Sequence, residues 1–243
     1  MIGNLFFKFF TIIINLIDLR NKLKIINYFK KNLDKNYLNV IDIGSHKGET
    51  IDLFINNFNL NCIYSFEPNV NLYNQLIKNK KYKKNQIKIF NLGVGRISEE
   101  KELNIFRDTS SSTLNSIDEN SEYFKRKKKL MSFFNLFGNF YQKKEIVNIC
   151  NLSEFIEKEK INKIDILKID TEGFEFNIIK GIKNLDFEKI KFIYFEHHFD
   201  LMINKGYKFS DINTLLVRNN FQRKYKIRMK FRKSFEYIYE NSK

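Results

Sequence analysis

A glycine turn preceded by an acidic residue is the first feature of the sequence that could bind a ligand. The segment VIDIGSHKG, residues 40–48, predicts a hydrophobic strand that contains Asp42 and turns through Gly44 into a helix. Glycine lets the backbone approach a ligand closely, and a helix N-terminus supplies unpaired N–H groups. The spacing of Gly44 and Gly48 differs from the G-x-G-x-x-G fingerprint of dinucleotide sites. We expect a cofactor bound across the strand ends, although any tight strand-to-helix connection also favours glycine.

A second acidic residue follows the next hydrophobic run, YSFEPN, residues 64–69. Glu67 falls just past the strand end, about twenty residues after the first glycine, where an acid can accept both ribose hydroxyls of a nucleoside. The alternative is an acid that is stabilised by the dipole of the helix following it. We favour the nucleoside interpretation because the glycine turn precedes it.

Polar residues also follow two later hydrophobic runs: Asp170 and Glu172 after the first, and Glu196, His197 and His198 after the second. These strand ends should lie side by side at the carboxyl edge of a parallel sheet, where such folds place their sites. Neighbours in an extended segment point oppositely, so only one histidine need face the pocket. We predict that Asp170 and His197 are the catalytic residues, acting as an acid/base or acceptor-orienting pair.

Two alternatives to this pair stay open. Glu172 and Glu175 could simply occupy the first turns of a helix, where its dipole favours acids, with the histidines as surface residues. For Glu175 this is the preferred interpretation. An Asp and a His on adjacent strand ends could also ligate a divalent metal, although no metal-ligand spacing indicates one.

An alternation of strands and helices must position these residues. Strands are predicted at residues 38–43, 62–66, 86–91, 145–150, 164–169 and 190–196, and helices at 49–58, 70–79, 153–160, 172–182 and 209–218. This pattern predicts an α/β fold with a parallel, doubly wound, Rossmann-like sheet. Apolar and cationic residues alternate from Tyr225 to Arg232, as in an edge strand, and residues 235–239 would complete an antiparallel hairpin.

Composition limits the class of protein. With 243 residues, 43% of them hydrophobic and 29% charged, the chain is expected to form one globular domain. The net charge of +15 would suit a nucleic-acid partner, but abundant Lys, Asn, Ile and Phe suggest a codon bias, so we do not expect nucleic-acid binding. Cys62 and Cys150 lie in predicted strands and form no CxxC pair, which predicts buried, reduced thiols and a cytoplasmic protein.

Two segments flank or interrupt the predicted domain of residues 38–243. Residues 1–37 are predicted to be a helical extension whose apolar run, Phe9–Ile17, is too short to span a bilayer. It should pack on the domain, with docking on a membrane surface, at the inner face, or on a partner as the alternative. Residues 108–142 are predicted to be an irregular insertion, either a lid or a disordered loop. Its basic run Lys125–Lys129 precedes several phenylalanines, which would suit an anionic or amphiphilic substrate such as a lipid-linked glycan.

Several motifs occur in a fixed order along the chain: VIDIGSHKGE, YSFEPN, FNLGVG, SSSTL, ILKIDTEGFEFNIIKG and IYFEHH. Together they resemble the FkbM-type methyltransferases over roughly residues 38–221, with LKIDTEGFE as the most diagnostic segment. The resemblance implies a seven-stranded class I methyltransferase fold with helices on both faces of the sheet. It also implies S-adenosylmethionine as the methyl donor and a carbohydrate or natural-product hydroxyl as the acceptor.

The same resemblance implies a set of cofactor-binding residues. Those at the methionine end would be Asp42, Gly44, Ser45 and Gly48; those at the ribose would be Glu67, Pro68 and Asn69; and Asn91 with Leu92 would lie near the adenine. His46 and Lys47 differ from the smaller residues common in that turn.

The sequence thus predicts an O-methyltransferase that acts on a small molecule or glycan. A catalytically inactive cofactor-binding protein is one alternative. An RNA methyltransferase is another, although residues 169–172 read IDTE, where such enzymes usually have an amide followed by proline.

Overall fold

We analysed a computed structural model, which describes residues 20–33, 37–106, 112–133, 141–199, 202–229 and 233–243. In chain order the strands are β1 (Leu38–Ile43), β2 (Leu60–Phe66), β3 (Ile87–Phe90), β4 (Gly93–Gly95), β5 (Glu99–Phe106), β6 (Tyr141–Asn151), β7 (Ile164–Ile169), β8 (Ile190–His198), β9 (Phe221–Met229) and β10 (Ser234–Asn241). The helices are α1 (20–32), α2 (Glu49–Ile55), α3 (Val70–Lys78), α4 (Glu122–Phe133), α5 (Leu152–Lys158), α6 (Glu175–Lys180), α7 (Asn184–Phe187) and α8 (Phe209–Arg218).

A seven-stranded sheet forms the centre of the molecule, in the order β3-β2-β1-β7-β8-β10-β9. The first five strands pair in parallel, and β10 pairs antiparallel with both β8 and β9. Strand β7, at the middle of the sheet, is buried at every position, as expected for a parallel strand covered on both faces. The predicted mostly parallel α/β sheet and its C-terminal antiparallel hairpin are confirmed, and β9 is an edge strand.

Helices cover both faces of this sheet. On one face Phe29 of α1 and Phe54 of α2 pack with α3 against β1, β8 and β10. On the other face Phe155 of α5, Ile178 of α6 and Leu216 of α8 form the larger core. Since parallel strands share one direction, their carboxyl ends all meet at one edge of the molecule.

A second, three-stranded sheet packs beside the larger core, in the order β4-β6-β5. The predicted strand at 145–150 lies in β6, and so belongs to this small sheet rather than to the main one. Strands β4 and β5 were not predicted. Gly93–Gly95 is too short to show a period, and β5 begins with the polar run Glu99–Glu102, so neither has the apolar alternation that indicates a strand.

Three further predictions differ from the structure. The helix expected at 172–182 begins only at Glu175, because Glu172 and Gly173 adopt positive φ values of 49° and 94° that a helix excludes. The insertion at 108–142 is not irregular throughout, since α4 contains the basic run 125–129. Cys62 is buried in β2 as expected, whereas Cys150 in β6 is only partly buried.

The predicted N-terminal apolar run lies outside the described residues. The described part of the extension, α1, packs on the sheet through Ile25, Phe29 and Leu33. The division of the chain at residue 38 stays a prediction. Among the described residues, no helix has the length and apolar character needed to cross a bilayer.

We expect Phe29→Ala to destabilise the fold strongly. The Phe29 ring is fully buried, with its centroid 5.5 Å from that of Phe192 and 6.0 Å from that of Tyr194. Truncating such a core phenylalanine typically costs about 3–5 kcal/mol. Urea unfolding of Phe29→Ala against Leu23→Ala, an exposed position of the same helix, provides the measurement. Equal losses of unfolding free energy in the two variants would show that α1 does not pack as described.

Candidate functional site

A cavity opens at the carboxyl edge of the parallel strands, where the turns after β1, β2, β3 and β7 converge. Six of the predicted site residues line this cavity: Gly44, Ser45, Glu67, Pro68, Leu92 and Asp170. The remaining five predicted residues, Asp42, Gly48, Asn69, Asn91 and His197, do not line it. The structure therefore brings the two halves of the predicted site, the turns after β1 and β2 and the end of β7, to one place.

The turn after β1 is held between the ends of two neighbouring strands. Gly44 and Ser45 both donate their N–H to the carbonyl of Phe66 at 3.0 Å, and the Asp170 N–H donates to the carbonyl of Ile43 at 2.9 Å. Gly44 has a φ of +86°, and a Cβ at this position would lie 1.9 Å from the Asp170 carbonyl oxygen. Only glycine fits here, because both the backbone conformation and the contact exclude a side chain.

Glu67 presents a carboxylate that backbone groups hold in place at the wall of the cavity. Its Oε2 accepts from the N–H of His46 at 2.8 Å and its Oε1 accepts from the N–H of Asn69 at 2.9 Å. Burial raises the pKa of Glu67 to about 7, although these two hydrogen bonds favour the ionised form. The side chain can therefore gain or lose a proton near neutral pH.

Three predicted residues support the turns instead of lining the cavity. Asn91 donates from Nδ2 to the carbonyls of Glu67 and Pro68 at 2.9 and 3.0 Å, and so fixes the backbone that presents Glu67. Asn69 is the N-cap of α3, which uses its side-chain oxygen for the helix. Gly48, with a φ of +87°, begins α2 beside the hydroxyl of Tyr82.

Asp42 also lies behind the cavity wall, fully buried and opposite Lys168 in the register of β1 and β7. Its Oδ1 is 3.5 Å from Lys168 Nζ, which in turn is 3.2 Å from Asp170 Oδ2. Burial alone would lower the pKa of Lys168, but the two carboxylates outweigh it and hold that pKa above its ordinary value. Asp42 thus affects the cavity indirectly, through its ion pair with Lys168, which lines the cavity.

The other side of the cavity is formed by a pair of buried glutamates. Glu196 on β8 and Glu236 on β10 are directly opposite each other in the antiparallel register, and both line the cavity. The Ser234 hydroxyl donates to Glu196, and Tyr194 lines the cavity near Glu236, where burial and then the charge of Glu236 raise the pKa of the tyrosine. Burial, followed by the charge of Glu196, raises the pKa of Glu236 to about 8.

His197 was predicted to pair with Asp170, and the structure does not bring the two together. Side chains alternate between the two faces of a strand, and on β8 Tyr194 and Glu196 point to the cavity. His197 is the next residue, so its side chain lies on the opposite face. The His197 ring packs there against Tyr207 and Phe209, with centroids 5.8 and 5.6 Å apart. His198 lies nearer, with Nε2 3.2 Å from Glu172, but it does not line the cavity either.

The loop between β7 and α6 is anchored by buried hydrogen bonds. Glu175, predicted to be a first-turn acid, does begin α6 and is fully buried. It accepts from the N–H of Gly173 at 2.8 Å and from the Tyr207 hydroxyl. Across the loop, Thr113 donates its hydroxyl to the Glu172 carbonyl at 2.7 Å. This hydrogen bond holds the segment around Thr113, which follows the serine run, against the loop at the end of β7.

Several cavity residues were not predicted. Lys168 could have been found, because a lysine inside the apolar run ILKID must be paired with carboxylates if the strand is buried. Glu236 has a weaker signal, since its strand alternates too little to show which face it occupies. Nothing in the sequence indicates that Lys22, on α1, lines the cavity. Among the described residues, no group of three His, Cys, Asp or Glu side chains is arranged to hold a metal ion.

A family model for the methyltransferase FkbM domain matches residues 42–226. A crystal structure of methyltransferase FkbM from Methylobacillus flagellatus KT is similar over 87% of this chain and 46% of that chain, with a TM-score of 0.55 and 15% identity. The present chain thus spans about half of that protein's length. No curated protein matches the sequence.

Two cofactor-bound structures also share the fold. TrmK of M. capricolum in complex with S-adenosyl-homocysteine is similar at a TM-score of 0.50 and 16% identity, over 90% of this chain and 68% of that one. Magnesium protoporphyrin IX methyltransferase from Synechocystis PCC 6803, also with S-adenosyl-homocysteine, has a TM-score of 0.50 at 10% identity, over 94% and 85%. At these identities the similarity shows the fold, which is that of class I methyltransferases.

Gly44→Ala should destabilise the protein more than Gly206→Ala. Both glycines have positive φ, +86° and +70°, which costs an alanine roughly 1–2 kcal/mol. At Gly206 nothing lies within 4 Å of the added Cβ, whereas at Gly44 the Cβ meets the Asp170 carbonyl and must displace the end of β7. We expect an additional loss of about 2 kcal/mol or more at Gly44, measured by chemical unfolding. Matching losses would mean that the β1 turn is not pressed against β7.

Proposed function

The chain belongs to the methyltransferase FkbM family, and from this premise we propose that it transfers a methyl group from S-adenosylmethionine to a hydroxyl of a sugar, glycan or related metabolite. The observation that carries the proposal is the position of Glu67. Its buried carboxylate opens onto the same cavity as the Gly44 turn and Asp170, at the edge of the sheet where this fold binds ligands.

The residues around Glu67 fit an adenosyl group. A carboxylate beside the apolar side chains of Pro68, Leu92 and Leu114 offers acceptors for two ribose hydroxyls next to a surface for a purine ring. The Gly44 turn provides a wall without a side chain for the methionine end of the cofactor. Ser45 lines the same stretch of the cavity. We therefore assign these residues as the cofactor-binding set, with Asp42, Gly48, Asn69 and Asn91 supporting them from behind.

When bound, S-adenosylmethionine supplies an electrophilic methyl group on a positively charged sulfur. The acceptor oxygen must approach in line with the S–CH₃ bond, so holding the acceptor in place supplies much of the acceleration. The C–O bond forms as the C–S bond breaks, and the hydroxyl proton must leave to a base.

Asp170 is the residue we assign to receive that proton. It lines the cavity at the end of β7, and its side chain is 30% exposed, so an acceptor can reach it. The ion pair with Lys168 at 3.2 Å fixes its orientation. His197 is not part of this proposal, because its ring packs on the opposite face of β8.

An RNA substrate is disfavoured by the charges of the cavity. Asp170, Glu172 and Glu196 all line it, and carboxylates repel the phosphates of a nucleic-acid backbone. A lipid-linked acceptor and contact with a membrane surface stay predictions. The basic run supports them, since Lys125, Arg126 and Lys128 are exposed on α4.

Glu67→Gln should weaken the binding of S-adenosylmethionine and remove its dependence on pH near neutrality. Loss of a charged hydrogen-bond acceptor costs about 1.5–3 kcal/mol. In the wild type the ribose requires the carboxylate form of Glu67, whose pKa is about 7, so affinity should fall as the pH drops below 7. Calorimetry from pH 5.5 to 8.5 measures both effects, with the exposed Glu100→Gln in β5 as the matched control. An unchanged affinity in Glu67→Gln would rule out the ribose assignment.

Asp170→Asn should abolish most methyl transfer while leaving cofactor binding in place. Removing a general base costs about 10²–10⁴ in rate. The assay follows labelled methyl groups from S-adenosylmethionine into a panel of monosaccharides and cell-envelope glycans. His197→Gln is the informative comparison, because a residue on the opposite face should leave the rate of folded enzyme within about twofold. If His197→Gln were as slow as Asp170→Asn, the assignment of the base would be wrong.

A further inference from the structure

We propose that Glu196 and Glu236 form an acceptor-binding pair that selects an uncharged polyhydroxyl acceptor and rejects anionic ones. This inference rests on the proposed function and names the class of substrate that the same cavity takes. The pair is separate from the residues assigned to the cofactor and to proton transfer.

The pairing of the two glutamates is set by strand register. Glu196 and Glu236 are direct partners of β8 and β10, and their side chains lie on the same face of the sheet. Opposed residues in an antiparallel pair have Cβ atoms about 4.5–5.5 Å apart. Their exposed fractions are only 4% and 5%, so two like charges are brought together away from bulk water.

A buried pair of carboxylates at this separation does not hold two full charges. Burial and the neighbouring Glu196 raise the pKa of Glu236 to about 8, so Glu236 keeps its proton at neutral pH and the pair carries one negative charge. The Ser234 hydroxyl donates a hydrogen bond to Glu196. Glu236 Oε2 nevertheless has no hydrogen-bond partner among the described residues, although it is buried and its residue lines the cavity.

An unsatisfied, buried carboxyl oxygen at the wall of a cavity is a place for a ligand to bind, because leaving it unpaired is costly. Together the pair offers several acceptor oxygens and, on Glu236, one proton that can be donated. Two neighbouring hydroxyl groups of a sugar ring can each donate to a carboxyl oxygen, one to Glu196 and the other to Glu236. The pair thus recognises neighbouring hydroxyls without requiring a charge on the ligand.

The charges around the pair select against ionised ligands. An anion would meet the negative charge of the pair and those of Asp170 and Glu172 in the same cavity. Lys168 already faces Asp42 and Asp170, and His198, behind the lining, contacts Glu172 at 3.2 Å and Glu196 at 3.5 Å. Acidic side chains still outnumber lysines in the described lining, where Lys22 is the other lysine. A cationic acceptor would instead be repelled by the sulfonium of the methyl donor. A neutral polyol avoids both penalties.

The test measures binding of defined sugars to the full chain, with and without S-adenosyl-homocysteine. The probes are the neutral methyl glycosides of glucose, galactose and mannose and the three corresponding uronates, titrated by ligand-observed NMR. We expect at least one neutral glycoside to bind. The corresponding uronate should bind at least about tenfold more weakly. Glu236→Ala should weaken the neutral glycoside about tenfold, the usual effect of losing a hydrogen-bonding partner.

Two further variants separate binding from structure. Glu240→Ala, on the same strand but outside the cavity lining, should leave every affinity unchanged. The double variant Glu196→Gln/Glu236→Gln removes the charge of the pair, so its preference for neutral over anionic sugars should fall below about threefold. Should Glu236→Ala fail to fold, Glu236→Gln keeps the size of the side chain and removes its carboxyl group, and it should also weaken binding of the neutral glycoside.

Three results would overturn the proposal: uronates that bind as tightly as neutral glycosides, a double variant that keeps the wild-type preference, or no neutral glycoside bound to a protein that binds S-adenosyl-homocysteine. If the protein does not bind S-adenosyl-homocysteine at all, the proposed function fails. The sugar titrations without cofactor still test the glutamate pair in that case, so the two failures are distinguishable.

Discussion

A buried lysine between two carboxylates is the interaction on which the site depends. Lys168 occupies the register position opposite Asp42 and faces Asp170 two residues later, at the point where the central strands end. Removing charged groups from water is expensive, and removing one partner of such a group leaves the others uncompensated. The arrangement is tolerated because Lys168 lies within ion-pair distance of both carboxylates, and because burial raises the pKa of Asp42, which reduces the excess of negative charge. It forces the ends of β1 and β7 to stay together, and so fixes the floor of the cavity.

Three parts of the structure form the walls around this floor: the β1 turn, the β2 turn and the β8–β10 pair. The β1 turn closes against β7 because Gly44 has no side chain, and the β2 turn presents Glu67 through backbone hydrogen bonds. The antiparallel insertion of β10 places Glu236 opposite Glu196, which a fully parallel sheet would not do. The proposed cofactor wall and the proposed acceptor wall therefore belong to the two parts of the sheet that differ in strand direction, with Asp170 at the end of the central strand.

The sequence was sufficient for the main sheet and for bringing Gly44, Glu67 and Asp170 to one cavity, because both depend on local patterns: apolar runs, glycine turns and acids at strand ends. The sequence was insufficient where the pairing register of distant strands determines which side chains meet. The opposition of Glu196 to Glu236 follows from the pairing of β8 with β10, which no local period reveals. The face of the sheet on which His197 lies depends on the register of β8, because a shift of one residue moves every side chain of the strand to the other face. The small sheet of β4, β5 and β6 was missed because its strands are short or polar.

The most direct test is a crystal structure of the protein with S-adenosyl-homocysteine bound. Our account predicts the ribose hydroxyls within hydrogen-bonding distance of Glu67, the methionine end along the Gly44 turn, and the sulfur facing the side of the cavity that contains Asp170. A cofactor bound elsewhere, or a Glu67 carboxylate turned away from the ribose, would contradict it.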